Sequence, residues 1–457
     1  MSSNHQDNSI HSDLRPFWSP ITQIISSHTW LPESSLSVFN SHSWFSCFFC
    51  FESQNLYFDP SKLSNLLDYK TENSNFKTKK IQIFPSPVQE KSIKNFFGAA
   101  RFTYNQALNL FRDNIARTKK SLRKKCVNDN AYPDLSMKWL YETPYQIRDE
   151  AMNDLYQAYI LGLKMHKAGK ISNFNLKHRS KNDPSQSIKI VYRNIKRISN
   201  REFRCFPTRL PGNIKCAEDI PAIIHDCRLQ WYPKINEFYI CIPIDITTID
   251  PQIPDVPRVI ALDPGVRTFM TGYDPTGFIF KWGHKDLGRI YRLCDHLDAI
   301  LSVIGRRNRD INHRRRNKLR RITYRLRKKI RNLIDDVQKK LVNFLCKNWN
   351  FILLPKFGTS GMVKKGERRI NKRSVRGMLG WGHYRFQQRL IAKAREYEGC
   401  RVKIVDEAYT SKTCGRCGEI NHNLGGNKVF RCKDCRLEID RDINGARNIY
   451  LRVLSTI

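Results

Sequence analysis

Hydrophobic and polar positions change period several times along this chain, and each change predicts a change of element. KKIQIF (79–84) alternates and reads as a strand. From Pro87 to about Arg117 the apolar residues Ile93, Phe96, Phe97, Ala100, Phe102, Tyr104, Ala107, Leu110 and Phe111 recur at mainly helical spacing, and helical signals continue to about Met165. Between roughly Ser187 and Ile246 the pattern returns to short β-type runs, SIKIVY, CRLQWY and EFYICIPI, separated by Asn, Pro and Gly. A helical insert inside a small β-barrel follows from that order. VIAL (259–262) predicts a buried strand ending on Asp263, Pro264 and Gly265 supply a turn, and RTFMTGYD and GFIFKWG read as two further hairpin strands. A long helical stretch runs from Ile290 to Asn348, with Ile322, Leu326, Ile330, Leu333, Val337, Leu341 and Leu345 at steps of three or four as its core stripe. The residues before about Thr78 are Ser- and Asn-rich with isolated aromatic clusters, which suggests a loosely ordered extension that docks somewhere.

Charge narrows the partners. Lys and Arg number 80 against 42 Asp and Glu, a formal net charge of +38 over 457 residues, so polyanion binding is the default expectation. No run of 18 apolar residues exists, WFSCFFCF (44–51) is too short to span a bilayer, and MSSNHQDNS lacks the pattern of a secretory signal; no membrane partner is expected. The 14 cysteines are mostly scattered, which together with that start points to an intracellular, reducing compartment and free thiols. Cys47 and Cys50 form an isolated C-x2-C without a second pair nearby and read as small hydrophobic fillers.

Four cysteines are not scattered. Cys414 and Cys417 form one C-x2-C pair and Cys432 and Cys435 another, with fourteen residues between the pairs. That spacing suits a ribbon whose four thiolates close a tetrahedron around one structural Zn²⁺. Two acidic positions accompany it. Asp263 ends a strand beside a turn, where a turn-forming role competes with a catalytic one. Asp442 precedes the helical run INGARNIYLRVL, where it can cap the helix, bind a metal, or do both, with Asp440 as rival or auxiliary ligand.

The hairpin opening on Asp263, the four-cysteine ribbon and DRDINGARNIY behind it resemble the RuvC-type domain of the TnpB family of transposon-encoded, RNA-guided DNA nucleases, which includes the Fanzor proteins and the ancestors of type V CRISPR effectors. KKIQIFPSPVQEKSIKNFFGAARFTYNQAL is similar to the strand, turn and helix that open that family's N-terminal wedge, so the resemblance spans roughly Lys79 to the C-terminus. It implies an α+β, bilobed protein: a variable extension over 1–77, a β-barrel wedge with a helical recognition insert over 78–250, and a RuvC/RNase H-like nuclease domain over 251–457 with the zinc ribbon inserted at 410–438. It also implies two catalytic Mg²⁺ ions, a guide RNA from the protein's own locus, double-stranded target DNA and a monomeric ribonucleoprotein, with nuclear location if the source is eukaryotic.

The resemblance assigns metal-binding roles to Asp263 and Asp442 but meets a gap between them. The strand that in most relatives ends in Glu-Asp-Leu appears here as FILLPKFGTSGM, with Pro355 and Lys356 in those places, and proline cannot bind a metal. VKIVDEAYTSKTC offers Asp406 and Glu407 instead. Adjacent strand residues point to opposite faces, so one of them enters the site. Fanzor-type relatives place the substituting glutamate at Glu407, with Asp406 the alternative. The dense basic run RRNRDINHRRRNKLRR makes Arg314, Arg315, Arg316, Arg320 and Arg321 candidate nucleic-acid contacts, since like charges at i,i+4 destabilise a helix unless a polyanion relieves them. A catalytically silent RNA- and DNA-binding derivative, or an accessory transposition protein, stands as the alternative function.

Overall fold

In the computed structural model the described residues are 45–51, 76–134, 137–249, 257–305, 312–364, 366 and 370–455. They fall into two compact units, one of residues 73–246 and the other formed by the remainder, which includes the first strand, β1 (Cys47–Phe51).

In the unit of residues 73–246, β2 (Phe76–Phe84) alternates exposed and inward positions, burying Ile81 and Ile83. Ser86 then starts α1 (Pro87–Arg112) with a reciprocal cap: its hydroxyl accepts from the Gln89 N–H, and Gln89 Oε1 accepts from the Ser86 N–H at 2.9 Å. Pro87 stands where its missing donor costs nothing. Next come α2 (Lys119–Cys126), α3 (Lys138–Tyr141) and α4 (Tyr145–Lys167), then β3 (Gln186–Ile190), β4 (Ile195–Ser199), β5 (Glu202–Cys205), β6 (Ile214–Cys216), β7 (Cys227–Tyr232) and β8 (Glu237–Asp245). The strands form one antiparallel sheet in the order β3-β7-β8-β2-β6-β5-β4. Its inner residues Ile81, Ile83, Ile188, Leu229, Ile240 and Ile242 pack against Ile93, Phe96 and Phe97 of α1 and Ile147 of α4. The helices are thus an insert within the β-element. The expected barrel is, in its pairing, an open sheet: β3 and β4 are its edges, and among the described residues no ladder joins them.

The other unit contains β9 (Val259–Pro264), β10 (Met270–Tyr273), β11 (Phe278–Trp282), α5 (Leu287–Gly305), α6 (His313–Asn348), β12 (Phe351–Pro355), α7 (Thr359–Val363), α8 (Lys372–Trp381), α9 (His383–Ala394), β13 (Arg401–Val405), β14 (Val429–Arg431), β15 (Glu438–Asp440) and α10 (Arg441–Ser455). Its main sheet runs β1-β11-β10-β9-β12-β13. Strands β9 to β11 form an antiparallel meander, and β12 and β13 continue it in parallel, an RNase H-like arrangement. Both faces are covered, which explains the uninterrupted apolar runs in the sequence. Ile260, Leu262, Ile352 and Leu354 join the core that holds Val337, Leu341 and Leu345 of α6 and Phe386 and Leu390 of α9. Val259, Ala261, Leu353 and Val405 face the other way, against Ile443, Ala446, Ile449 and Tyr450 of α10.

Two details depart from the expectations. The helical stretch is two helices, α5 and α6, and the basic residues 306–311 lie outside the described residues. Within α6 the stripe divides: Val337, Leu341 and Leu345 are buried, whereas Ile322, Leu326, Ile330 and Leu333 are half-buried. The extension, although polar overall, supplies an edge strand. β1 pairs antiparallel with β11, with Phe49 opposite Phe280, and Phe45 packs on Trp282 at 5.3 Å between ring centroids. Cys47 is a half-buried free thiol in β1; the side chain of Cys50 is outside the described set. No helix among the described residues is long and apolar enough to cross a membrane.

If β1 is an integral edge strand, Phe45→Ala should cost about 3 kcal/mol of stability, whereas Leu379→Ala, at a site 59% exposed, should stay within about 0.5 kcal/mol. Denaturant titration followed by tryptophan fluorescence would distinguish them, and equal small losses would contradict the docking of β1.

Candidate active site and cysteine cluster

Strand parity brings the candidate carboxylates together. In the β9–β12 ladder Phe351, Ile352 and Leu353 pair with Val259, Ile260 and Ala261, and continuing that register sets Pro355 level with Asp263. Val405 pairs with Pro355 across β12–β13. Odd-numbered residues of these three strands therefore look toward α10, and Glu407, two residues past Val405, continues that parity. Both Asp406 and Glu407 lie past the end of β13, and the exposed carboxylate of Asp406 also reaches α10, where it pairs with Arg452 at 2.6 Å, whereas Glu407 is the one whose charge bears on Asp263. Asp442 comes from the other side, in the first turn of α10. The helix can approach this closely because position 445 is glycine: a Cβ there would lie 2.8 Å from Asp263 Oδ2.

The electrostatics reflect that convergence. Burial, then the nearby charges of Asp442 and Glu407, raise the pKa of Asp263 well above the usual carboxylate range. Burial and the charge of Asp406 push Glu407 up to about 7. Asp442 is also raised, by burial and by Asp440, against the opposing charges of Lys281, Arg441 and Arg267. Carboxylates in this condition gain from a cation that neutralises them. They are spread more widely than the cysteines, which are the one group among the described residues with three or more candidate ligand atoms all within 4.8 Å of one another. Two Mg²⁺ ions about 3.5–4 Å apart, with oxygens at about 2.1 Å, would accept carboxylates spread over up to about 8 Å.

Asp440, the sequence's rival ligand, has other work. Its Oδ1 accepts from the backbone N–H groups of Asp442 at 3.0 Å and Ile443 at 3.3 Å, so Asp440 is the cap of α10. Its Oδ2 accepts from Lys281 Nζ at 2.6 Å. Asp442 does not cap the helix, and its carboxylate is left for the site. Sequence reading missed Lys281, although a lysine inside the apolar strand FIFKW is itself a signal: it is only 6% exposed and needs a buried partner.

The cysteines gather at the other end of the same helix–loop system. Cys414 and Cys435 sulfurs lie 3.5 Å apart, as do those of Cys417 and Cys432. Four sulfurs tetrahedral about Zn²⁺ at about 2.3 Å stand about 3.8 Å from one another, so the set is close to a zinc geometry. Backbone N–H groups from Cys435 and Asp434 lower the Cys432 thiol, whereas the Cys414 and Cys417 thiols beside it are raised, so without a metal the set favours one thiolate rather than four. Gly418, after the first knuckle, takes φ +84°, and Arg436 holds the matching place after the second at +57°. Both knuckles turn through the left-handed region, though only the first does so with the residue best suited to it. The ribbon is tied to α10 by side-chain amides: Asn444 Nδ2 donates to the Thr413 carbonyl at 2.7 Å, Asn448 Nδ2 to the Thr410 carbonyl at 2.8 Å, and the Gly415 N–H donates to Asn444 Oδ1 at 3.1 Å.

The candidate arginines are on α6, where Arg314, Arg315, Arg320 and Arg321 are exposed and Arg316 is half-buried. They lie along the first turns of the helix, before its buried half begins.

Known proteins are similar to this chain over several spans. Residues 383–449 match the family described as Cas12f1-like, TNB domain, a span holding β13, Glu407, the four cysteines and Asp442. Residues 77–120 match a helix-turn-helix domain family. "TnpB-like protein L770" of Acanthamoeba polyphaga mimivirus is 25% identical over 397 residues, 81% of this chain and 72% of that protein. The chain is similar to TnpB-like proteins over most of its length. A virus relative named as a transposase, A625R of Paramecium bursaria Chlorella virus 1, is 27% identical over 425 residues, 86% of this chain and 93% of its own length. InsQ of Escherichia coli strain K12, named as an RNA-guided DNA endonuclease, is 25% identical over 398 residues, 81% of this chain and 90% of InsQ.

An acid whose pKa is raised by folding binds its proton more tightly in the folded state, so stability falls as pH rises through the interval between the two values. For Glu407 that interval runs from 4.5 to about 7. Metal-free protein should lose thermal stability across it, and Glu407→Gln should lessen the loss while leaving the part due to Asp263 and Asp442. Melting curves from pH 4.5 to 8 check this; a variant with an unchanged pH profile would place Glu407 outside the carboxylate group.

Proposed function

We propose that this TnpB-like protein is an RNA-guided, metal-dependent DNA endonuclease of a transposable element, hydrolysing phosphodiesters at a RuvC-type site formed by Asp263, Glu407 and Asp442. The observation that carries the reading is the approach of these three carboxylates from the end of β9, the segment after β13 and the first turn of α10, where burial and then the charges of Asp442 and Glu407 raise the pKa of Asp263. The RNA and DNA partners are proposed from the similarity to InsQ and from the charge of +38.

The chain's own residues would act as follows. Asp263, Glu407 and Asp442 would hold two Mg²⁺ ions, giving up their protons as the cations arrive. Lys281 and the helix-capping Asp440 fix the start of α10, which keeps Asp442 turned into the site. When bound, the ions supply an activated water and charge stabilisation at the leaving oxygen. Cys414, Cys417, Cys432 and Cys435 would hold a structural Zn²⁺, keeping the segment from Thr410 to Gly415 on α10. The guide RNA would come from the protein's own locus, and the working form would be a monomeric ribonucleoprotein.

A silent binder is the competing reading, and Pro355 favours it, since it occupies the place level with Asp263 where most relatives carry an acid. Assays of the ribonucleoprotein on target DNA separate the two. Glu407→Gln should abolish Mg²⁺-dependent cleavage as fully as Asp263→Ala or Asp442→Ala while nucleic-acid binding persists, and Pro355→Ala should leave cleavage detectable. Robust cutting by Glu407→Gln would remove Glu407 from the site, and no cutting by the intact ribonucleoprotein would favour the silent binder.

Contacts from Arg314, Arg315 and Arg316, with Arg320 and Arg321 behind them, would be to phosphates and not to base edges. Replacing the first three by Gln should flatten the salt dependence of binding by up to about 3 in log–log slope with sequence preference intact. An unchanged slope would make them a solvated face.

A further inference from the structure

Between Glu407 and the first knuckle the chain makes a turn whose residue is wrong for its backbone. Thr410 closes it, its N–H donating to the Glu407 carbonyl at 3.2 Å and its hydroxyl to the same oxygen at 2.9 Å. Tyr409 is the third residue of the turn, with φ +65°. A turn with positive φ at that place selects glycine or asparagine, and a bulky aromatic there is an outlier. The conformation is imposed from outside the residue. The Tyr409 carbonyl accepts from the Lys412 N–H at 2.9 Å, the Thr413 N–H at 3.1 Å and the Thr413 hydroxyl at 3.0 Å, and Asn444 and Asn448 hold Thr413 and Thr410 on α10.

Little packing repays this choice, because the residue is 62% exposed. A side chain kept in an unfavourable conformation by its surroundings, with its ring presented to solvent, marks a contact surface better than a packing site. Its position defines the contact. Two residues of chain, at most about 7 Å, separate Tyr409 from Glu407, and Lys412 and Arg416, both exposed, follow in the same loop. An aromatic platform beside cations suits a single nucleic-acid strand, whose bases stack on the ring while its phosphates meet the charges.

We propose that Tyr409 is a substrate-contacting residue, stacking on a base of the single DNA strand next to the phosphodiester held at Asp263, Glu407 and Asp442. The inference rests on the nuclease reading of that site. It adds a device that sets where the strand lies along the carboxylates. Stacking tolerates any base, so the platform positions the strand without reading its sequence.

Asparagine separates the ring from the backbone, since it accepts positive φ more readily than tyrosine. Full-length protein would be mixed with single-stranded DNA oligonucleotides carrying 2-aminopurine at successive positions, and quenching of its fluorescence followed. Wild-type protein should quench the probe at one or two adjacent positions. Tyr409→Phe should retain that quenching, and Tyr409→Asn should lose it and weaken binding by about 5- to 150-fold, with melting temperature and zinc content unchanged or raised. In cleavage assays Tyr409→Asn should raise KM more than it lowers kcat. Quenching that survives Tyr409→Asn, quenching lost equally in Tyr409→Phe, or a response from 2-aminopurine in RNA but not in DNA would each overturn the proposal. A wild-type ribonucleoprotein that cuts no DNA, with quenching still dependent on Tyr409, would overturn the nuclease reading and leave the platform standing.

Discussion

Burial of acidic groups near one another at one end of the RNase H-like sheet is the constraint around which the neighbouring elements are arranged. Asp263, Glu407 and Asp442 each carry a raised pKa, so folding holds them together against their preference to ionise apart. Asp440 adds a fourth negative charge, and its placement is what makes the group tenable. One of its oxygens caps α10 and the other meets Lys281, so the charge nearest Asp442 is neutralised inside the protein. A buried cation deprived of its partner costs on the order of 3–5 kcal/mol, which makes the pair a firm anchor for the start of the helix. Glycine at 445 then lets α10 approach Asp263 closely enough to complete the group.

The cysteine cluster acts on this arrangement through hydrogen bonds. Asn444 and Asn448 reach from α10 to the carbonyls of Thr413, immediately before Cys414, and Thr410, three residues after Glu407. A metal that closes the four cysteines would stiffen the loop at its far end, and the amides would transmit that stiffness to the segment carrying Glu407. On this account the ribbon serves the position of one carboxylate as much as its own local fold, and the strained turn at Tyr409 lies between the two.

Much of this was legible in the chain. The change of apolar period from two to between three and four marked the insert of α1 to α4, and the C-x2-C spacing marked the cysteine cluster. The place of Asp263 at the end of VIAL followed from strand geometry alone. What stayed hidden depends on residues distant in sequence. The pairing of β1 with β11 joins positions more than two hundred residues apart, and its Ser- and Asn-rich surroundings obscured the aromatic pattern. The cap of α10 was legible as a cap but not as Asp440 in preference to Asp442, because either residue fits the local pattern and Lys281, which helps decide between them, lies 159 residues away. Barrel closure is likewise a matter of pairing between the ends of a sheet, which no local pattern encodes.

The claim that Glu407 completes the site in place of an acid at position 355 is open to direct observation. Crystals of the protein soaked in Mn²⁺, with anomalous scattering recorded at the manganese edge, would locate ions individually. The account predicts two ions about 3.5–4 Å apart, with oxygens of Asp263, Glu407 and Asp442 among their ligands and Asp440 still bonded to Lys281. Ions bound without Glu407, or coordinated by Asp440 in place of Asp442, would contradict it.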